Sequence, residues 1–480
     1  MTTKKAIVKK SKHKPQEKIE SVLGKPFKGF FVNMLTRDID LQDAILDLLD
    51  NCVDGAIRTR TKEMADRDSL KGFWAKIKLS DKKFVIEDNC GGIPWKLAKD
   101  YAFRMGPSEN VHSKPGTIGV VGIGMKRAIF KMGTECYVHS NHEKDSFIVS
   151  IPPEWFENDD LWEFKAERED PSGKECGTII EITQLNNATK IAFKDGSSFR
   201  ASFPALVGES YSYLIEKGFE VKVGKDDVPT KSVALCFESP HALNAKGEQI
   251  RPYIYSATMN GIDVFMAVGY RSRMLTQAEQ EREAEATFSA RDAGWTVVCN
   301  DRVVLSNDRT TKTGWGFGRV PNFHNQFSCI AGIVEFSSKD TGSLPITTTK
   351  RGIDTSKDIY TLARQRMQDG LRHFTSNTNR WKGFETELKG RFGEGSFLSL
   401  QELKDISEHL KFTKVKGDGV QRQYVPDLPE KKVLKTTKRI CFTKKIKDIE
   451  KVSNHLFDEV REPNDVGEAC FNRVLKEAKQ

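Results

Sequence analysis

The segment LQDAILDLLDNCVDGA, residues 41–56, constrains the fold more than any other stretch of this 480-residue chain. Ile45, Leu48, Leu49 and Cys52 recur at i, i+3, i+4 and i+7, the spacing of one apolar helical face. Asp43, Asp47, Asp50, Asn51 and Asp54 crowd the other side. Like charges three and four residues apart destabilise a helix by roughly 0.2–0.5 kcal/mol per pair. A helix that keeps this pattern needs either open solvent along the acidic side or a cation beside it.

Three further segments follow in order. KKFVIEDNCGGIP (82–94) reads as a strand ending at Asp88-Asn89 and turned sharply by Gly91-Gly92. Such an acidic strand end can hold a base, and an ordinary Asp-Asn turn has the same composition. KPGTIGVVGIGMKRAIFKMG (114–133) sets Gly116, Gly119, Gly122 and Gly124 ahead of Met125-Lys126 and a helical run. Glycines let backbone N–H groups approach phosphate oxygens, and a helix N-terminus adds a field that favours anions. The order is neither G-x-x-x-x-G-K-[ST] nor G-x-G-x-x-G, so P-loop and dinucleotide folds are not indicated. Last, Gly177-Thr178 opens the strand GTIIEIT, where a threonine hydroxyl can support a base-contacting carboxylate.

Composition narrows the class. The hydrophobic set is 38% of the chain and charged residues 30%, with no apolar run near the roughly 18 residues of a membrane span. A soluble, cytoplasmic protein without a membrane partner is expected, because the basic first residues lead into no apolar signal core. Nine cysteines stand singly, without C-x-x-C or a nearby His pair, which argues against zinc modules and a disulfide framework.

In this order and spacing the four segments resemble the Bergerat-fold (GHKL) ATPases, the group of gyrase, heat-shock chaperone, histidine kinase, MutL and MORC. The family's acidic-x-x-x-Asn-x-x-Asp helix is matched by Asp47, Asn51 and Asp54, and its D-x-G-x-G turn, imperfectly, by Asp88 to Gly92, with Cys90 at the first glycine. Its G-x-x-G-x-G-[ML]-K lid is matched by Gly119, Gly122, Gly124, Met125 and Lys126, and its Gly-Thr by Gly177 and Thr178. The likeness covers residues 27–190. It implies ATP and Mg²⁺ as cofactors. Asn51 would coordinate Mg²⁺, Asp88 would accept from the adenine amino group, and Lys126 with the glycine lid would close over the phosphates. Asp54, Gly92, Ile93, Val121, Ile123 and Thr178 complete the implied nucleotide-binding set. The general base falls on Asp47, one methylene shorter than the usual Glu, which leaves both hydrolysis and a nucleotide-binding pseudo-ATPase open.

The resemblance implies an α+β fold. A Bergerat ATP-binding α/β sandwich is expected over 25–220, behind a basic flexible tail at 1–24 that holds seven lysines. A ribosomal-protein-like α/β transducer domain is expected over 221–380 and a mainly helical, basic region over 381–480. Strands are expected at VALCF, DVFMAVGY, GWTVVCNDRVVL and CIAGIVEF, and helices at 197–220 and DIYTLARQRMQDGLRHF. LPITTTKRGID resembles the transducer loop that delivers a cation to the γ-phosphate, with Lys350 the matching residue and Arg351 its competitor.

The spacing around the lid is most similar to the MORC-like type, some of whose bacterial relatives sit in defence systems. An ATP-dependent homodimer closing as a clamp is therefore expected. From Lys411 to Lys447 twelve Lys and Arg, interrupted by Tyr424 and Phe442, suit phosphate contacts with nucleic acid. A plain solvated surface, or a protein client as in the chaperone branch, fits the same residues.

Overall fold

The computed structural model describes residues 24–105, 123–171, 173, 175–243, 247–282, 290–347, 350–417, 419–431 and 440–479. The tail at 1–23, the lid residues Gly116, Gly119, Val121 and Gly122, and Lys432, Lys435, Lys438 and Arg439 of the basic stretch lie outside them.

Eight strands form the first sheet: β1 (Trp74–Leu79), β2 (Phe84–Asp88), β3 (Gly133–Asn141), β4 (Ser146–Ile151), β5 (Lys165–Glu169), β6 (Gly177–Leu185), β7 (Glu220–Val223) and β8 (Asp226–Asp227). Their order is β5-β4-β3-β6-β2-β1-β7-β8, with only β1 and β7 parallel. Alternation decides which face is covered. On β6, Ile180 and Ile182 are buried while Ile179 is exposed, the period of a strand with one face inward. The inward face packs with the helices Leu41–Thr59, Gly124–Met132 and Ser198–Glu216 in one core, through Ala44, Ile45, Leu48, Ala128, Ile129, Val207 and Leu214. The result is a two-layer α/β sandwich.

The remaining strands are β9 (Leu235–Glu238), β10 (Tyr253–Met259), β11 (Ile262–Tyr270), β12 (Gly294–Cys299), β13 (Arg302–Asp308), β14 (Ile330–Ser338), β15 (Gly395–Leu398), β16 (Thr413–Lys414) and β17 (Val420–Tyr424). Seven of them form a second sheet ordered β13-β12-β14-β11-β10-β17-β16, and β15 pairs with β9. The helix Asp358–Trp381 joins the second core through Ile359, Ala363, Met367, Leu371 and Phe374, a spacing of four and then three residues that keeps one stripe inward.

Two elements differ from the sequence reading. GWTVVCNDRVVL is a hairpin, because Asn300 and Asp301 both take left-handed backbone (φ 45° and 64°) and turn β12 into β13. Asn and Asp tolerate that conformation in two-residue turns. The basic stretch after 411, expected within a mainly helical region, supplies strand β17, paired along β10 from Ile254↔Tyr424 to Thr258↔Val420. Its hydropathy hides it, since its inward groups are amides: Gln421 and Gln423 accept from Tyr255 and Tyr253 hydroxyls at 2.9 and 3.1 Å.

Residues up to Glu430 form one compact unit and Lys431–Gln480 another. The second unit holds the helices Ile446–Phe457 and Pro463–Glu477. Among the described residues no helix is long and apolar enough to cross a membrane.

Candidate functional site

Helical geometry divides the polar side of Leu41–Thr59 into two stripes. Asp47, Asn51, Asp54 and Arg58, at i, i+4, i+7 and i+11, line a cleft of about 280 Å³. Asp43, Asp47 and Asp50, at i, i+4 and i+7, meet cations carried by other elements. Asp47 belongs to both stripes. Asn51 is exposed at the cleft, while Asp47 and Asp50 are 3% and 1% exposed.

The opposite wall is built by strand ends. Asp88 closes β2, directly across from Thr178 on β6, and both line the cleft. Burial pushes the Asp88 carboxyl up to about 6, against hydrogen bonds from the Cys90 and Thr178 backbone and the Cys52 thiol that favour its ionised form. The Cys90 N–H donates to Asp88 Oδ1 at 2.8 Å. Gly91 and Gly92 then turn the chain with φ of 88° and 67°. A Cβ on Gly92 would sit 2.3 Å from the Asn141 carbonyl oxygen, so glycine is required there on both counts. Cys90, where the motif usually has glycine, is 1% exposed and burial raises its thiol, which therefore stays protonated and inert. Ile93 follows in the same wall and donates its N–H to Ser140 Oγ at 2.7 Å.

The helix Gly124–Met132 brings Met125, Lys126 and Arg127 to the cleft, with Gly124 at its first position and Ile123 just before it. Lys126 Nζ donates to the Ala102 carbonyl at 2.9 Å, and burial lowers its ammonium to about 8. Arg127, which the sequence reading did not single out, lies 2.5 Å from Asp47 Oδ2.

Strand β13 and the loop after β14 contribute the remaining charges. Lys350 lines the cleft, with Nζ 2.8 Å from Asp50 Oδ2 and 3.4 Å from Asp47 Oδ1. Burial alone would lower the Lys350 ammonium, but Asp50 and Asp47 outweigh it and raise it. Burial likewise opposes ionisation of Asp50, and Lys350 and Arg302 hold its carboxyl below the ordinary value. Arg351 is placed elsewhere, 3.0 Å from Asp43 Oδ1. The acidic crowding on the helix is thus relieved by side-chain cations: Lys350 and Arg351 belong to the loop that the sequence singles out, whereas Arg127 and Arg302 do not.

Residues 39–188 match the family of histidine kinase-, DNA gyrase B- and HSP90-like ATPases. The matched span runs from the start of the Leu41–Thr59 helix past β6, so it contains every cleft-lining residue except Lys350. Comparison with curated proteins gives no match. Among the described residues there is no group of three His, Cys, Asp or Glu suited to a metal. The donor set at the cleft is instead one exposed amide, Asn51, beside carboxylates. That set fits Mg²⁺, which takes oxygen ligands, keeps several waters and shares the phosphates of a nucleotide. A wider hollow of about 600 Å³ lies by the Ser198–Glu216 helix, but Lys231 and Arg271 in its wall are both paired with Asp292.

Proposed function

We propose that the chain binds Mg-ATP in this cleft and hydrolyses it, using Lys350 to sense the terminal phosphate. The observation that carries this reading is the double membership of Asp47, which faces the cleft and at once meets Lys350 from the loop after β14. Asp88 accepts from the adenine amino group, with Thr178 and Gly92 beside it. Gly124, Met125 and Lys126 close on the phosphates, and Asn51 with Asp54 holds the Mg²⁺ side. Bound Mg²⁺ would neutralise phosphate charge. Water attacks the γ-phosphorus, its proton passes to Asp47, and the bond to the β,γ-bridging oxygen breaks to release ADP and phosphate.

Only a triphosphate offers Lys350 a further charged oxygen, so ATP and ADP become distinguishable. Closure of the second sheet on ATP then joins two copies as a clamp, in the manner of MORC-like and MutL-like ATPases. Nucleic acid is the favoured client. Lys411, Lys414, Lys416 and Arg422 are exposed on and beside the edge strands β16 and β17. Lys414 lies directly opposite Arg422, a like-charge pairing that a bound polyanion would relieve.

A second reading, nucleotide sensing with little turnover, is favoured by the cations on both Asp47 oxygens. ATPase assays of wild type and Asp47→Asn, run beside calorimetric binding of Mg-ATP, separate the two. Turnover that depends on Asp47 supports hydrolysis; binding without turnover supports sensing.

A further inference from the structure

Behind the cleft, Asp50 is the centre of a buried network of which only Lys350 has a part in the reaction just described. Its Oδ1 accepts from the Tyr211 hydroxyl at 2.6 Å and from Arg302 Nε at 3.0 Å, and its Oδ2 from Lys350 Nζ at 2.8 Å. Tyr211 is anchored in turn on the Leu46 carbonyl at 2.8 Å. Arg302 is fixed at the start of β13: its Nη1 donates to the Ser210 and Val303 carbonyls at 3.1 and 3.0 Å, and its guanidinium lies 4.3 Å from the Tyr211 ring centre. It is 1% exposed.

Lys350 is held differently. Its side chain meets two carboxylates, and its backbone takes left-handed φ of 56°, a conformation costly for a residue with a Cβ. Strained backbone of this kind concentrates where a chain switches state. The turn that carries it is closed by Lys350 N to Thr347 O at 2.9 Å and Thr347 N to Gly352 O at 3.0 Å.

The charges are shared unequally. Asp47 and Asp50 together meet three cations, Arg127, Arg302 and Lys350. Each carboxylate has one cation of its own, Arg127 for Asp47 and Arg302 for Asp50, and Lys350 is common to both. Withdrawing Lys350 therefore strands no buried carboxylate, which is the event that makes breaking a buried ion pair costly. If Arg302 were absent, Lys350 would be the sole cation on Asp50 and could not leave without that penalty.

We propose that Arg302 is a positioning residue for Lys350: by holding Asp50 Oδ1 it turns Asp50 into a seat from which the Lys350 ammonium can pass to the terminal phosphate of a bound nucleotide. Tyr211 shares this role through its hydroxyl. The inference rests on the reading of the cleft as an ATP site.

The test compares calorimetric affinities of the full chain for Mg-ADP and for Mg with a non-hydrolysable ATP analogue. Wild type should prefer the triphosphate about tenfold or more, the size of an ordinary coupling between sites. Arg302→Met should lose most of that preference while its Mg-ADP affinity stays within about threefold, because only the movable contact is affected. Adding Asp50→Asn to Arg302→Met should restore the preference, since a neutral amide no longer retains the ammonium; this non-additive recovery is not expected of a merely structural residue. Arg302→Lys should keep the preference, and Tyr211→Phe, the mildest change, should reduce it in the same direction. If Arg302→Met does not fold, the double variant and Tyr211→Phe decide. Wild-type preference in Tyr211→Phe and Arg302→Met, or no recovery in the double variant, would overturn the proposal while leaving the ATP reading standing. Failure of wild type to bind either nucleotide would overturn both.

Discussion

Arg127 Nη2 lies 2.5 Å from Asp47 Oδ2, so the carboxylate facing the cleft is held at one bearing by the helix that also carries Lys126. A carboxylate one methylene shorter than Glu reaches less far, and a fixed bearing compensates for lost reach. Asp47→Asn keeps the shape but cannot take a proton from water. Turnover should fall by about 10²–10⁴-fold with Mg-ATP affinity largely retained. A phosphate-release assay beside calorimetry checks this, and a loss of less than about threefold would assign the base elsewhere.

Asn51→Ala should abolish Mg-dependent ATP binding. Its amide is the exposed oxygen donor on the cleft-facing stripe, and the neighbouring Asp47 is already engaged by Arg127 and Lys350. Titration with ATP in the presence and absence of Mg²⁺ is the measurement. Unchanged affinity with Mg²⁺ present would contradict the assignment.

The pH dependence follows from Asp88. A carboxyl raised to about 6 binds a proton in the folded chain at pH values where the unfolded chain has released it. The empty protein should therefore lose stability as pH rises from about 4 toward 6, and not gain it. Adenine binding has the opposite sign, since the amino group donates to a carboxylate. Affinity for ATP should fall as pH drops below about 6, approaching tenfold per unit. Arg58 is the cation that faces Asp88, and the Cys52 and Cys90 thiols, raised by burial, stay neutral throughout this range. Asp88→Asn should bind more weakly and without the pH step.

Much of this arrangement is legible in the sequence, and the rest has a physical reason for being hidden. Ile45, Leu48, Leu49 and Cys52 announce their helix because burial enforces a period, and Asp88 is marked by the paired glycines behind it. Arg302 carries no such mark, and Lys350 shows only through the likeness of LPITTTKRGID to a transducer loop. They meet Asp50 across 252 and 300 residues, and a charge pair formed at that separation leaves no periodic trace. Strand β17 is hidden for another reason: its inward side chains are glutamines satisfied by tyrosine hydroxyls, so neither alternation nor hydropathy exposes it.

The client is tested by salt. If the exposed edge of the second sheet follows a nucleic-acid backbone, affinity should fall linearly on a log–log plot, with a slope of about −0.9 per neutralised duplex phosphate. Replacing Lys411, Lys414, Lys416 and Arg422 with Gln should flatten that slope by several units and leave Mg-ATP affinity unchanged. Extending the replacements to Lys431, Lys432, Lys435, Lys438 and Arg439 should flatten it further. No retention of DNA or RNA at about 50 mM salt would favour a protein client, since non-specific phosphate binding is strongest at low ionic strength.

The distance between Asp50 and its cations also bears on synthesis. During translation the Leu41–Thr59 helix leaves the ribosome long before Arg302, and longer still before Lys350. Until β13 emerges, Asp50 and Tyr211 must either stay wet or bury a charge without a counter-ion. The Leu41–Thr59 helix therefore settles late, and a nascent chain paused before Arg302 should be protease-sensitive at residues 41–59 even though all eight strands of the first sheet are already made.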